Sequence, residues 1–270
     1  NLTELQDAFL TFCNSVPFYG AVVACSDSPA LVEIIPDIRR SILTYGLSAD
    51  SQVSAQNISH TGSESTFQVI KDENFLGEIS IDVPGKHNVT NSLASVTLGL
   101  ELGIPFSAIS RGIQSYSGVK RRFEIKGTCH DVMVVDDYAH HPTEVRATLD
   151  AAKDGWNRRI IAVFQPHLFT RTRDFYQDFA DSFSIADILI VTKIFPSREE
   201  PIDGVSGELV VQAAQEKKHP QPLYIKEWGH LMNSLDELVK PGDMVITIGA
   251  GNIWRFCQEY FKHLSAKSNL

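Results

Sequence analysis

Leu2, Leu5, Phe9 and Phe12 recur at spacings of three and four, so residues 2–13 are expected to form a helix with one apolar face. The run GAVVAC at residues 20–25 predicts a short buried strand, residues 29–35 a helix, and Leu43, Thr44 and Tyr45 the next strand. Between residues 52 and 83 apolar and polar positions alternate, most clearly at 65–70 and 77–83, with polar turns between them. That is the pattern of antiparallel hairpins. Pro84-Gly85 closes this stretch, and residues 88–102 follow as a helix carrying Leu93, Val96, Leu100 and the small Ala94, ended by Gly103 and Pro105. A second short helix ends before Gly118.

At residues 118–123 the rhythm restarts, which places a domain boundary there, with residues 1–119 on one side and 120–270 on the other. Beyond it, short apolar strands alternate with amphipathic helices. Strands are expected at 123–126, 132–135, 160–164, 188–191, 223–225 and 244–248, and helices at 143–153, 173–183, 207–216, 231–238 and 252–261. Regular alternation of this kind predicts a doubly wound, mostly parallel α/β sheet, in which ligands bind at the carboxyl ends of the strands. The residues that follow those strands are the polar ones: Asp136 to Pro142, Gln165 to Arg173, Thr192 to Pro201, and Gly249 to Asn252.

Composition narrows the function more than the fold. A chain of 270 residues that is 43% hydrophobic can build two ordinary cores. A formal charge of -9 argues against a nucleic-acid partner, which calls for a dense basic face. Its 4 cysteines, Cys13, Cys25, Cys129 and Cys257, stand far apart, with no C-x-x-C pair to suggest a zinc knuckle or a disulfide framework. They are expected to be reduced core residues of a cytoplasmic protein. No apolar run approaches the roughly 18 residues that span a bilayer, and no basic-then-apolar leader opens the chain, so neither membrane insertion nor export is expected.

The turn Asp136-Asp137-Tyr138-Ala139-His140-His141-Pro142 crowds carboxylates and imidazoles at a strand-to-helix junction. Its bland reading is a capped helix start with solvated charges, Pro142 opening the helix, but so many ionisable groups in one turn point toward a site. A zinc turn is less compatible, because adjacent histidines seldom aim at one ion and no distant ligand stands out. His167, Arg171 and Arg173 surround a second loop, suited to a carboxylate or phosphate, or simply a cationic surface turn. Gly249-Ala250-Gly251-Asn252 lacks the third glycine of a dinucleotide fingerprint and reads as a tight structural turn. His87, Asn88 and Asn91 sit where amides either cap a helix or read the edge of a purine, and spacing leaves both open.

Taken together, these segments resemble the Mur ligase family, in its alanine-adding branch. Residues 85–91 (GKHNVTN) resemble its G-x-H-N-x-x-N element, residues 119–124 its R-R-F junction, and residues 136–144 (DDYAHHPTE) its D-D-Y-[AG]-H-H-P-T-E loop. Residues 164–173, 198–204 and 249–253 resemble its F-Q-P-H, E-x-P-I-x-G and G-A-G-N-I segments. The resemblance implies that residues 1–119 are the second half of a central ATP-binding α/β domain with antiparallel hairpins, and residues 120–270 a Rossmann-like C-terminal domain that presents the amino acid. It implies ATP and Mg²⁺ as cofactors, UDP-N-acetylmuramate and L-alanine as substrates, and an acyl-phosphate intermediate on the way to peptidoglycan precursor. By the same resemblance His87, Asn88 and Asn91 would meet the adenine, and Arg122 and Asp137 the phosphate and ribose. Tyr138, His140, His167 and Arg171 would frame the alanine and the acyl centre, with His140 and Arg171 catalytic and no metal ligand in this chain. Relatives often carry Arg where Leu168 stands, which shifts the carboxylate clamp onto Arg171 and His140. Neither a G-x-x-x-x-G-K-[ST] phosphate loop nor the family's metal ligands are present, so the chain by itself is expected to be inactive. A ligase for a whole tripeptide, and a non-catalytic nucleotide-binding module, are the competing readings.

Overall fold

The structure is a computed structural model that describes residues 1–267, in two compact units that divide between Ser117 and Gly118. In the first unit the chain runs α1 (Leu2–Asn14), β1 (Ala21–Cys25), α2 (Pro29–Val32), β2 (Ser41–Gly46), β3 (Val53–Thr61), β4 (Glu64–Lys71), β5 (Asn74–Ile81), α3 (Lys86–Glu101) and α4 (Phe106–Gln114). Its five strands lie in chain order in one sheet. β1, β2 and β3 are parallel, and β3, β4 and β5 form the antiparallel meander that the alternating pattern predicts. Inward residues Val53, Phe67, Val69, Ile79 and Ile81 pack on Val89, Leu93 and Val96 of α3 and on Ile109 of α4. Gly99 permits that close helix pair, because a Cβ there would stand 2.7 Å from the Ile109 Cδ1 atom.

An expectation in this unit is corrected. The helix forecast at residues 29–35 breaks after Val32 and passes into a short 3₁₀ turn, Ile35–Asp37, because Pro36 cannot continue an α-helix. α1 forms as forecast, nucleated by a capping box in which Asn1 accepts from the Glu4 N–H at 2.9 Å. Its apolar stripe, however, is not buried: Leu2 is 59% exposed, Leu5 54%, Phe9 50% and Phe12 70%.

The second unit continues with β6 (Glu124–Cys129), β7 (Val132–Asp137), α5 (Pro142–Gly155), β8 (Arg159–Phe164), α6 (Phe169–Ser182), β9 (Ile188–Val191), α7 (Glu208–Glu216), β10 (Pro222–Tyr224), α8 (Trp228–Leu238), β11 (Asp243–Ile248) and α9 (Ile253–Ala266). The strands lie in the order β10-β9-β8-β11-β7-β6, and all are parallel except β6, which pairs antiparallel with β7 at the edge. Residues alternate between the two faces. Ile160, Ala162 and Phe164 of β8 join Val145, Leu149, Phe179, Phe183 and Val210 on one side, while Ile161 and Val163 join Leu231, Leu235, Ile253, Phe256 and Tyr260 on the other. Helices therefore cover both faces, the doubly wound arrangement the periodicity predicts. No helix among the described residues is long and apolar enough to cross a membrane. All four cysteines are free, with Cys13 and Cys257 buried.

Candidate active site

In the second unit β9, β8, β11 and β7 are neighbours, so the loops leaving their carboxyl ends lie side by side. An isolated bridge between His167 and Phe195 extends the β8–β9 pairing beyond the sheet and draws two of those loops together. The rim is built on buried acids. Asp136, fully buried, accepts from the Thr247 hydroxyl at 2.7 Å and from the Arg121 Nε–H at 3.2 Å. Asp137, 4% exposed, accepts from the Phe123 and Ala139 N–H groups, each at 2.7 Å. Burial raises both carboxyls above the usual range, opposed by these hydrogen bonds and, for Asp136, by the Arg121 charge.

Arg121 does more than pair with Asp136. Another of its N–H groups donates to the Gly249 carbonyl at 2.6 Å, and its guanidinium lies 4.8 Å from the centre of the Tyr138 ring. Arg122 stands 5.7 Å from the same ring and is half exposed. Tyr138 in turn meets the His140 ring edge to face at 5.3 Å. The His140 Nδ1–H donates to the Tyr138 carbonyl at 3.0 Å, and Glu144 Oε2 lies 3.3 Å from the same nitrogen. Across the rim, His167 is 6.1 Å from His140, stacks on Phe195 at 5.7 Å, and accepts at Nδ1 from Arg171 at 3.4 Å. Burial, reinforced by Arg171 and His140, holds the His167 imidazole below its usual pKa, so it is neutral at neutral pH.

Helix α6 starts at Phe169, four residues earlier than the sequence pattern indicates, which puts Arg171 inside the helix rather than in the loop before it and Arg173 in its second turn. Two residues apart on a helix, they point to different sides. Arg171 turns to His167, whereas Arg173 is exposed and pairs with Asp174 at 2.7 Å, away from the rim. The early start has a cause in a distant loop. Glu199 accepts from the Thr170 N–H at 3.0 Å and from its hydroxyl at 2.5 Å, capping α6 from outside. These hydrogen bonds also hold the Glu199 carboxyl below the usual range. Leu168, the residue before the helix, adopts φ +72° and ψ 137°, a backbone region rarely visited by a residue with a side chain.

The glycine turn after β11 is pinned from β8. Gln165, 1% exposed, donates to Asn252 at 2.8 Å and accepts from the Ile253 N–H at 3.0 Å, where α9 begins. At Gly249, φ +150°, a Cβ would meet the Gln165 carbonyl at 2.6 Å. His141 turns away from His140: it accepts from the Thr143 N–H at 3.4 Å and packs against Phe175 at 5.2 Å. Among the described residues no cluster of three or more His, Cys, Asp or Glu can hold a metal ion.

In the first unit, a cleft of about 460 Å³ opens beside α3 and α4, lined by Val83, Asn88, Asn91, Ser92, Ile113 and Tyr116 among others. Asn88 does not cap its helix. Gly85 holds that position at φ +96°, and the Asn88 amide donates instead to the Pro84 carbonyl at 2.7 Å. Asn91 is exposed one turn further on, and His87 is exposed but does not line the cleft.

Comparison with known proteins decides the family. The Mur ligase middle domain matches residues 1–99, and the Mur ligase, glutamate ligase domain, matches residues 121–251. The chain belongs to the Mur ligase family. It is 46% identical over 257 residues to the UDP-N-acetylmuramate–L-alanine ligase of Geotalea uraniireducens, covering 94% of this chain and 56% of that protein. It is 43% identical over 265 residues to the enzyme of the same name from Salinibacter ruber, covering 98% of this chain and 56% of that protein. The crystal structure of the UDP-N-acetylmuramate–alanine ligase of Thermotoga maritima superimposes with a TM-score of 0.78 at 24% identity, over 99% of this chain and 56% of that one. This Mur ligase chain thus spans little more than half the length of the relatives it matches.

The Mur ligase fold brings Tyr138, His140, His167 and Arg171 to one rim of the second unit, with Arg122 at its border. Asn88 and Asn91 meet at the cleft of the first unit without His87. Sequence reading gives no role to Arg121, Glu144, Gln165 or Glu199, although all four fall in segments that carry the family resemblance. Glu144 carried a signal, standing three residues after the helix cap at His141. Glu199 opens the E-x-P-I-x-G segment, but nothing local ties it to α6, which it reaches from 29 residues away.

Proposed function

We propose that this chain supplies the base-reading and amino-acid-presenting parts of an ATP-dependent ligase that joins L-alanine to UDP-N-acetylmuramate. The observation that carries the reading is the convergence of Arg171, His167, His140 and Tyr138 at the carboxyl ends of β7 and β8. A neutral α-amino acid needs a cation for its carboxylate and a group that can take a proton from its ammonium. Arg171 provides the first, its direction steadied by the neutral His167, and His140 the second. The Tyr138 ring, backed by Arg121, forms one wall. Relatives at 43–46% identity bearing the alanine ligase name support this choice of amino acid.

On the nucleotide side, Asn88 keeps its amide oxygen for an adenine amino group after donating to Pro84, with Asn91 beside it and His87 at the same helix start. Arg122 is exposed enough to reach a phosphate. Asp137 contributes by holding the Phe123 and Ala139 N–H groups, which fixes the backbone on which Arg122 and Tyr138 stand. ATP supplies the phosphoryl group that activates the muramoyl carboxylate as an acyl phosphate. Among the described residues no cluster of three or more His, Cys, Asp or Glu stands ready for Mg²⁺, and the sequence contains no G-x-x-x-x-G-K-[ST] phosphate loop.

The test is phosphate release with UDP-N-acetylmuramate and ATP, comparing alanine with a tripeptide as acceptor. The full-length protein containing this sequence is expected to respond to alanine, and the 270-residue chain alone to neither. Turnover by the chain alone, or a full-length preference for tripeptide, contradicts the reading.

A further inference from the structure

Glu144 is the third residue of α5, and its carboxylate is unusually occupied. Oε2 accepts from the His140 N–H at 3.0 Å and the His141 N–H at 3.3 Å, and lies 3.3 Å from His140 Nδ1. Oε1 lies 3.9 Å from the half-exposed Arg122. The Tyr138 carbonyl, 3.0 Å from the same Nδ1, can only accept, so two acceptors converge on one ring nitrogen. That nitrogen must carry the proton. Nε2, on the far side of the ring, has no hydrogen-bond partner among the described residues. His167 has the opposite arrangement: Arg171 can only donate, so His167 Nδ1 is the bare nitrogen there.

We propose that Glu144 is a positioning residue whose carboxylate holds the His140 ring with its proton on Nδ1, so that Nε2 offers its lone pair to the ammonium group of the incoming amino acid. This rests on the ligase reading above. In that reaction the alanine nitrogen arrives as an ammonium and cannot attack until it loses a proton. His140 Nε2 takes that proton and becomes an imidazolium, whose charge faces the Glu144 carboxylate across Nδ1. The freed nitrogen lone pair forms the C–N bond at the acyl carbon, the bond from carbon to the phosphate oxygen breaks, and the departing phosphate takes the second nitrogen proton. The other groups around His140 are Tyr138 on its own turn and His167 on the loop after β8, with Arg171 on α6 beyond His167 and Arg122 behind Glu144. Glu144 is the only anion in this set, so the imidazolium depends on it.

The plain alternative is that Glu144 serves only the α5 capping box, which His141 shares. Glu144→Gln separates the two roles, because an amide oxygen still accepts from backbone N–H groups but carries no charge. Long-range ¹⁵N–¹H correlation spectra of the labelled 270-residue chain read the His140 tautomer directly, and the neutral ring is expected to be protonated on Nδ1 and bare on Nε2. In the full-length protein, E144Q is expected to lower kcat at neutral pH by roughly tenfold to a hundredfold. The melting temperature should hold. A neutral His140 protonated on Nε2 overturns the proposal, as does an E144Q kcat within about twofold of the unmutated protein. The tautomer spectrum needs no substrate. An unmutated full-length protein that fails to ligate alanine therefore overturns the ligase reading and leaves the spectrum to judge the Glu144–His140 pair.

Discussion

Gly251 shows how closely the rim is packed at the scale of one residue. A Cβ there would collide with the Gln165 side-chain oxygen and stand 2.6 Å from Phe195 Cγ, the ring on which His167 stacks. Gln165 cannot easily give way, since its oxygen and nitrogen are both engaged at the start of α9. Gly251→Ala should therefore displace Phe195 or Gln165 and cost about 1–3 kcal/mol of stability, measurable by urea denaturation of the chain. A loss below about 0.5 kcal/mol would mean that the turn is looser than described. From the sequence this glycine reads as a tight structural turn, which is correct as far as it goes. That its missing side chain makes room for residues from two other loops depends on contacts 56 and 86 positions away, and no local pattern carries them.

Among the elements, α1 and α6 separate what periodicity conveys from what it omits. The spacing of Leu2, Leu5, Phe9 and Phe12 gives the helix correctly, because a 3.6-residue repeat is a property of the segment itself. Whether the apolar stripe is covered depends on a second surface, and here the stripe lies open. Phe12→Gln, at a position 70% exposed, should accordingly change the stability of this chain by less than about 0.5 kcal/mol. A calorimetric loss of 2 kcal/mol or more, on the order of truncating a core residue, would place Phe12 in a packed interface. The start of α6 is misjudged for a related reason. The residues before Arg173 have no strong local cap, and the one they use, Glu199, comes from the loop after β9. The doubly wound sheet was far more legible, since its inner strands β7, β8, β9 and β11 are short runs buried on both faces.

Across the whole molecule, the candidate site was legible where chemistry crowds a single turn and obscure where it depends on topology. Asp136 to His141 announces itself by composition, and the loop after β8 by His167 and Arg171. Their convergence follows only from the strand order β9-β8-β11-β7, which sets the polar loops beside one another. Arg121 is indistinguishable in sequence from Arg122, yet the first binds the buried Asp136 and the Gly249 carbonyl while the second stays half exposed. The central claim, that Arg171 at this rim holds the amino-acid carboxylate and takes no part in holding the nucleotide, is tested most directly by steady-state kinetics of Arg171→Ala in the full-length ligase proposed above. Leaving the alanine carboxylate unpaired in a partly desolvated site should cost about 2–5 kcal/mol. KM for alanine is therefore expected to rise by more than about tenfold while KM for ATP stays within about twofold. An alanine KM within about twofold of the unmutated enzyme, or an ATP KM that rises in step with it, would contradict the account.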